Sequence, residues 1–290
     1  MLISLPIWAI GPKFVVVSDL GAFGDGDQRK VAEAVGEAAY EVAPNAIINL
    51  GDTFHFWGVQ STDDPGWYSN FENIYTAASL HNLWYCVLGN HDYQGNTQAL
   101  IDYTDKSRRW NLPARYYTKK FSRGGTTVEF IFIDTTPLLQ RALTQPEIYP
   151  DASLQDTDAM KEWLVQALDN ADADWVVVAA HHPVYSSRPD TAGQRADVSA
   201  YLEGVLAGHR PDFYLAGDVH CFEHTRRPGD STDYVTCTSG SQAYPVEAGE
   251  NVVFADGSSG YMTFVFDKSE ATFTMHDSTG KILYEYTKAK

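Results

Sequence analysis

The sequence predicts a mixed α/β fold, and three observations point there. Over the first two-thirds of the 290 residues, short apolar runs alternate with longer amphipathic stretches. That is the order of βα units around a buried sheet. After about Thr232 the chain turns to β-forming runs separated by Gly, Asp and Ser, which reads as hairpins of an antiparallel sheet. Finally, five of the apolar runs end in Asp, Asn or His.

The elements follow in order. Phe14 to Val17 is a strand, then a Gly/Asp-rich loop leads to a helix near Gln28 to Val42. Strands are expected at Ala46 to Leu50, Trp84 to Leu88, Thr127 to Ile133 and Trp175 to Ala179, with a helix near Gln155 to Asp169 before the last. A helix near Gln194 to Ala207 precedes a strand at Phe213 to Ala216. Tyr234 to Thr238, Tyr261 to Phe266, Ala271 to His276 and Ile282 to Tyr286 are the hairpin strands. No repeat, low-complexity tract or linker divides the chain. One domain over residues 13–288 is expected, with residues 1–12 as an N-terminal extension.

Composition narrows the function classes. With 44% hydrophobic and 13% aromatic residues the chain is globular. A formal net charge of −17 argues against a nucleic-acid polymer as partner, because such binding needs cations to displace phosphate counterions. No run is long and apolar enough to span a membrane. The opening Met1 to Ile10 lacks a basic n-region and a clear cleavage site, so no signal peptide is read there. Cys86, Cys221 and Cys237 match no zinc or redox spacing. Either Cys221 pairs with Cys237 or all three are buried thiols. Oligomeric state is not legible.

The chemistry lies at the strand ends. The first gives Ser18-Asp19-Leu20-Gly21, the second Gly51-Asp52-Thr53-Phe54-His55, and the third Gly89-Asn90-His91-Asp92. Later strands give Ala180-His181-His182-Pro183 and Gly217-Asp218-Val219-His220. Ligands of open α/β sheets collect beyond the carboxyl ends of strands, so these side chains should converge. Glycines 51, 89 and 217 should let the backbone turn sharply. An Asp after a strand is commonly only a helix N-cap, and a lone His only a hydrogen-bonded structural residue. The ordered set of five is far more specific than any member. His81, His209, His224 and His276 have no motif around them and are read as structural.

With these motifs the sequence resembles the calcineurin-like metallophosphoesterases, and among them the purple (tartrate-resistant) acid phosphatases. Gly51 to Val59 and Gly89 to Asn96, continuing to Ser107-Arg-Arg-Trp-Asn-Leu-Pro113, carry the likeness. The resemblance implies two β-sheets packed face to face and flanked by helices, a four-layer sandwich. It implies a binuclear centre, with Asp19, Asp52, His55 and His220 on one metal and Asp52, Asn90, His181 and Asp218 on the other. Asp52 would bridge. It also implies that His91 contacts substrate and leaving group, with Asp92 orienting its ring. The expected reaction is hydrolysis of a small phosphoester by a metal-bound hydroxide, a metal lowering the pKa of bound water from ~15.7 to ~7. A phosphodiesterase or nucleotidase, and a non-catalytic scaffold or binding relative, are the alternatives. Relatives of this kind are often exported, and that is the lean here.

Three departures from the acid phosphatase pattern matter. His55 stands where those enzymes have a tyrosine, and Asp218 stands where their Gly-His-x-His supplies a histidine. Without a phenolate the first site has less reason to prefer iron(III), so two divalent ions (Fe, Zn or Mn), a colourless centre and a pH optimum shifted toward neutral are expected. The loop Ser186-Ser-Arg-Pro-Asp190 lacks a histidine, and Arg188 is either a phosphate contact or a solvated loop residue. His182 is expected either behind the ligands or on the substrate side.

Overall fold

The computed structural model describes residues 11–290. In chain order the larger elements begin with β1 (Lys13–Val17), α1 (Gln28–Val42), β2 (Ala46–Asn49), β3 (Trp84–Cys86), α2 (Thr97–Asp102) and β4 (Trp110–Asn111). Next come β5 (Tyr117–Arg123), β6 (Thr126–Phe132), α3 (Gln140–Thr144), α4 (Thr157–Asp169), β7 (Trp175–Ala179), α5 (Ala192–His209) and β8 (Phe213–Ala216). The chain finishes with β9 (Phe222–Thr225), β10 (Asp233–Thr236), β11 (Val252–Asp256), β12 (Gly260–Phe266), β13 (Glu270–Asp277) and β14 (Ile282–Ala289). Most of the expected N-terminal extension lies outside the described residues.

Two seven-stranded sheets result, ordered β14-β13-β12-β1-β2-β3-β4 and β11-β9-β10-β8-β7-β6-β5. Alternation within each central strand explains why they pack face to face. Phe14 and Val16 of β1 point between the sheets, where they meet Phe130, Val177, Phe213 and Phe264. Val15 and Val17 point the other way, against Val31 and Val35 of α1. A strand buried on both faces reads as a continuous apolar run, which is why β1, β2, β7 and β8 were visible in the sequence. The four-layer sandwich is as the resemblance implies.

β12, β13 and β14 pair as the expected antiparallel hairpins. β12 pairs antiparallel with β1 and so extends the first sheet through β13 and β14. β10 joins the second sheet, parallel to β8 and antiparallel to β9. All three cysteines are free and buried, so Cys221 and Cys237 are not bridged.

Capping sets the helix ends. Asp156 accepts the Ala159 N–H at 2.9 Å and starts α4. Ala43 turns left-handed at the end of α1 with Pro44 after it, which stops the helix and returns the chain to β2. Because β1, β2 and β3 are parallel neighbours, as are β6, β7 and β8, their carboxyl ends lie together in each sheet.

Candidate metal centre

The carboxyl ends of β1, β2 and β3 from one sheet meet those of β7 and β8 from the other. Asp19, Asp52, His55, Asn90, His91, His181, His182, Asp218 and His220 converge there. Ligand atoms of Asp19, His55 and His220 lie within 4.8 Å of one another, as do those of Asp19, Asp52 and His181, and those of His181, His182 and Asp218. The Asp52 carboxylate stands between the groups. Its Oδ2 is 3.3 Å from His55 Nε2 and 3.2 Å from His181 Nε2.

Backbone strain aims these side chains inward. Asp19, Asp52, Asp218 and His220 all adopt the left-handed region, with φ of 52°, 53°, 66° and 54°. Non-glycine residues there cost about 1–2 kcal/mol each, and such strain persists where the surroundings hold it. The glycines act partly otherwise than expected. Gly51, at φ 97°, does need the freedom of glycine. Gly89 and Gly217 are instead needed for space. A Cβ on Gly89 would stand 2.1 Å from Asp52 Oδ1, and one on Gly217 1.8 Å from Ser18 Oγ.

Three imidazoles share one arrangement. Nδ1 of His55 contacts the Gly21 carbonyl at 3.2 Å, that of His181 the Leu50 carbonyl at 2.7 Å, and that of His220 the Gln242 carbonyl at 2.5 Å. A carbonyl only accepts, so each Nδ1 carries a proton and each Nε2 points into the cluster. His55 Nε2, His181 Nε2, Asp19 Oδ1 and Asp218 Oδ2 are buried and lack any hydrogen-bond partner. Orphaned buried polar atoms are costly and demand an explanation. Cations held in this cluster would satisfy these atoms, so the donor set fits metal ions.

The charges are poised accordingly. Burial opposes ionisation of Asp52, but His181 and His91 outweigh it and hold the carboxyl well below its usual range. Burial lowers His181, yet Asp52 beside it raises it well above an ordinary imidazole. Asp218 is pushed up to about 7 by burial and by the neighbouring Asp19 and Asp52 charges. Metal binding must therefore displace protons here.

One expected role differs, and His182 takes the first of its two expected places. Asp92 does not orient the His91 ring. Its Oδ2 accepts the backbone N–H groups of Gly89 at 2.9 Å and Asp52 at 3.0 Å, tying the second strand's loop to the third's. It is fully buried, and among the described residues no hydrogen bond joins it to the His91 ring. The His91 ring instead has Nδ1 3.3 Å from the Phe56 carbonyl, while the His91 N–H donates to Asp52 Oδ1 at 2.8 Å. His182 lies behind the ligands and is fully buried. Thr135 Oγ1 is 2.8 Å from its Nδ1, and its Nε2 is 3.2 Å from Asn90 Oδ1, so it fixes the Asn90 amide.

A cleft of about 350 Å³ opens in front of the cluster, walled by Phe56, His91, Arg141, Arg188 and Tyr244 among others. Arg188 reaches it but is forked onto Asp190, with Nε 3.0 Å from Oδ1. The loop after His55 divides: Phe56 and Trp57 are 53% and 71% exposed, whereas Trp67 is buried and stacked on Tyr103. Arg141, on a five-residue helix with no motif around it, gave no signal in the sequence. His224 and His276 are structural as expected, bonded to Asp233 and Thr263.

Comparison with known proteins agrees with this geometry. Residues 12–222 match the family model described as calcineurin-like phosphoesterase. The chain is 29% identical over 290 residues to purple acid phosphatase 7 of Arabidopsis thaliana, covering 96% of this chain and 86% of that protein. It is 31% identical over 224 residues to tartrate-resistant acid phosphatase type 5 of Mus musculus, covering 73% and 67%. Among solved structures it superimposes on GAP50, the anchor in the inner membrane complex of Plasmodium, with a TM-score of 0.81 at 21% identity, covering 97% and 89%. By sequence, fold and the convergence of its strand ends, the chain belongs to the calcineurin-like phosphoesterase family and is similar to the purple acid phosphatases.

Proposed function

We propose that this chain hydrolyses small phosphate monoesters, with residues 13–288 acting as one catalytic domain around two divalent metal ions of the Fe, Zn or Mn class. Asp19, Asp52, His55 and His220 hold one ion, and Asp52, Asn90, His181 and Asp218 hold the other. What carries the reading is the tethering of three Nδ1 atoms to backbone carbonyls, which leaves three Nε2 atoms facing buried carboxylates. Bound there, the ions supply Lewis acidity toward phosphoryl oxygens and activate a water for in-line attack.

The protein's own groups do the rest. Asp92 and His182 hold Asp52 and Asn90 in place. His91 Nδ1 lies 3.3 Å from the Phe56 carbonyl and 3.1 Å from Gln94 Nε2, and the protonated ring, with Nδ1 on Phe56, donates from Nε2 to a leaving oxygen. The absence of a phenolate at position 55 supports an all-divalent, colourless centre.

A second reading has a specific observation behind it. GAP50, whose fold this chain shares, is described as an anchor, and a non-catalytic binding role is the rival. One experiment separates the two: metal analysis of the purified protein, with nitrophenyl phosphate turnover before and after chelation. About two metals per chain, activity lost on chelation and restored by Zn, Mn or Fe(II), and no visible charge-transfer band are expected. A protein that holds no metal and gains no turnover from added metal belongs to the anchor reading.

A further inference from the structure

The cleft holds two guanidinium groups in different states. Arg188 is already engaged: its fork closes on both Asp190 oxygens, Nη1 bonds the Pro245 carbonyl at 3.3 Å, and the plane lies 4.8 Å over Tyr244. Arg141 lines the same cleft from α3. Among the described residues its guanidinium has no ion pair and no hydrogen bond. Its aromatic neighbour is Tyr149, 5.5 Å away, which leaves all the guanidinium donors open. Its field nonetheless reaches the ligand cluster, where it adds to the lowering of His182.

What sets Arg141 apart is its place, since its unpaired guanidinium lines the cleft in front of the ligand cluster. Acidic residues outnumber basic ones 38 to 21, yet none has been placed against Arg141. Its natural counter-ion is then a ligand, and the cleft admits one beside the metal-ligand face. Guanidinium is the side chain whose planar fork fits phosphate oxygens.

We propose that Arg141 makes the site select phosphate monoesters over diesters, by binding the terminal oxygen that only a monoester offers. The inference rests on the phosphoester reading above. A monoester brings three terminal oxygens and, near neutral pH, a dianion. A diester brings two terminal oxygens and a single charge, and puts an ester substituent where the third oxygen was. Against a diester, Arg141 loses both an acceptor and a unit of opposite charge. Specificity of this kind arises because a donor built to be satisfied is left without its partner.

The test uses the full chain loaded with Mn(II) or Zn(II), as wild type, Arg141→Ala and Arg141→Lys. The side chain is exposed, so folding is not at stake. Two readouts are paired: kcat/KM for nitrophenyl phosphate and for its bis-ester, and calorimetric affinity for inorganic phosphate and for dimethyl phosphate. Arg141→Ala is expected to lower monoester kcat/KM and phosphate affinity by about 10- to 100-fold, the loss of a charge-assisted hydrogen bond. The diester values should fall several-fold less. Arg141→Lys should recover part of the loss, because the charge stays and the fork does not. Equal losses on both esters, or no change on either, overturn the assignment. If the wild type binds phosphate without turnover, the hydrolase reading falls and the phosphate to dimethyl phosphate ratio still decides for or against Arg141. If it binds neither, both readings are overturned.

Discussion

Asp218 carries a tension that a metal resolves. In the metal-free protein burial and the adjacent Asp19 and Asp52 charges raise its pKa from 3.8 to about 7. A carboxyl whose pKa is higher folded than unfolded lends stability that is complete below the unfolded value and lost as pH rises through the folded one. Metal-free protein should therefore weaken as pH climbs through about 7, and added metal should remove that dependence. Asp218→Asn keeps the shape and deletes the charge. At pH 8 it is expected to raise the metal-free Tm by roughly 2–6 °C, for on the order of 1–2 kcal/mol, while metal content falls. A lower Tm in the variant would mean that the carboxylate is satisfied without an ion. His91 gives the complementary case on activity. Burial holds its ring below the usual imidazole range, with Asp52 opposing the shift. If the protonated ring donates to the leaving group, activity falls as pH rises through that lowered value, and the alkaline limb lies below pH 6.5. That pulls the optimum back toward acid, against the neutral shift expected from divalent ions. His91→Ala should keep its metals, lose about 10²–10⁴-fold in turnover and lose that limb. A variant that loses metal and activity together would make His91 structural.

The elements present these residues through close contacts in their connecting loops. Gly217 follows β8 where the backbone passes Ser18 and Asp19. Gly217→Ala sets a Cβ 1.8 Å from Ser18 Oγ and 2.7 Å from Asp19 Oδ2, so the side chains that place Asp19 must shift. Overpacking of this kind costs about 1–3 kcal/mol, and metal affinity should fall with it. Gly204 is the contrast. It lies on the exposed face of α5 with open space around it, and Gly204→Ala should stabilise by about 0.5–1 kcal/mol. Chemical denaturation of both variants, with and without metal, checks the pair. Opposite signs are required, because a shared sign would mean that contact does not decide. The same contrast explains what was legible in the sequence. β1, β2, β7 and β8 stood out as apolar runs because both faces are buried, and each carried its ligand at a fixed place just beyond its end. β5 and β9 did not stand out. β5 alternates half-buried and exposed residues through Lys119 and Lys120 on a sheet edge, and β9 carries the buried polar pair Glu223 and His224. The resemblance implied Asp92 as the partner of the His91 ring, whereas its hydrogen bonds run to backbone groups brought close only by the fold. Arg141 could not be read at all, since nothing local marks a short helix as facing a cleft built from other strands.

At the scale of the whole molecule, the net charge of −17 and the proposed centre act on a phosphate dianion with opposite signs. Three carboxylates against two divalent ions leave one positive charge in excess before the bound hydroxide is counted, and Arg141 adds another beside it. Distance decides which field an approaching substrate feels. At 0.01 M ionic strength the Debye length is about 30 Å, comparable to the protein itself, so the whole acidic surface repels. At 0.15 M it is about 8 Å, and a dianion senses little beyond the cleft wall it is entering. Added salt should therefore screen the long-range repulsion more than the short-range attraction. For a phosphate monoester, kcat/KM is expected to rise between these two ionic strengths while kcat stays nearly constant, since the chemistry occurs inside the cleft. A neutral viscogen in place of salt should not reproduce the rise. The slope should steepen in Arg141→Ala, where one of the short-range attractive charges is gone and repulsion is a larger share of the total. Measured as initial rates with an inert salt that does not bind the metals, a fall in kcat/KM would reverse the argument. It would mean that the field of the metal cleft extends past the acidic surface and governs capture of the substrate.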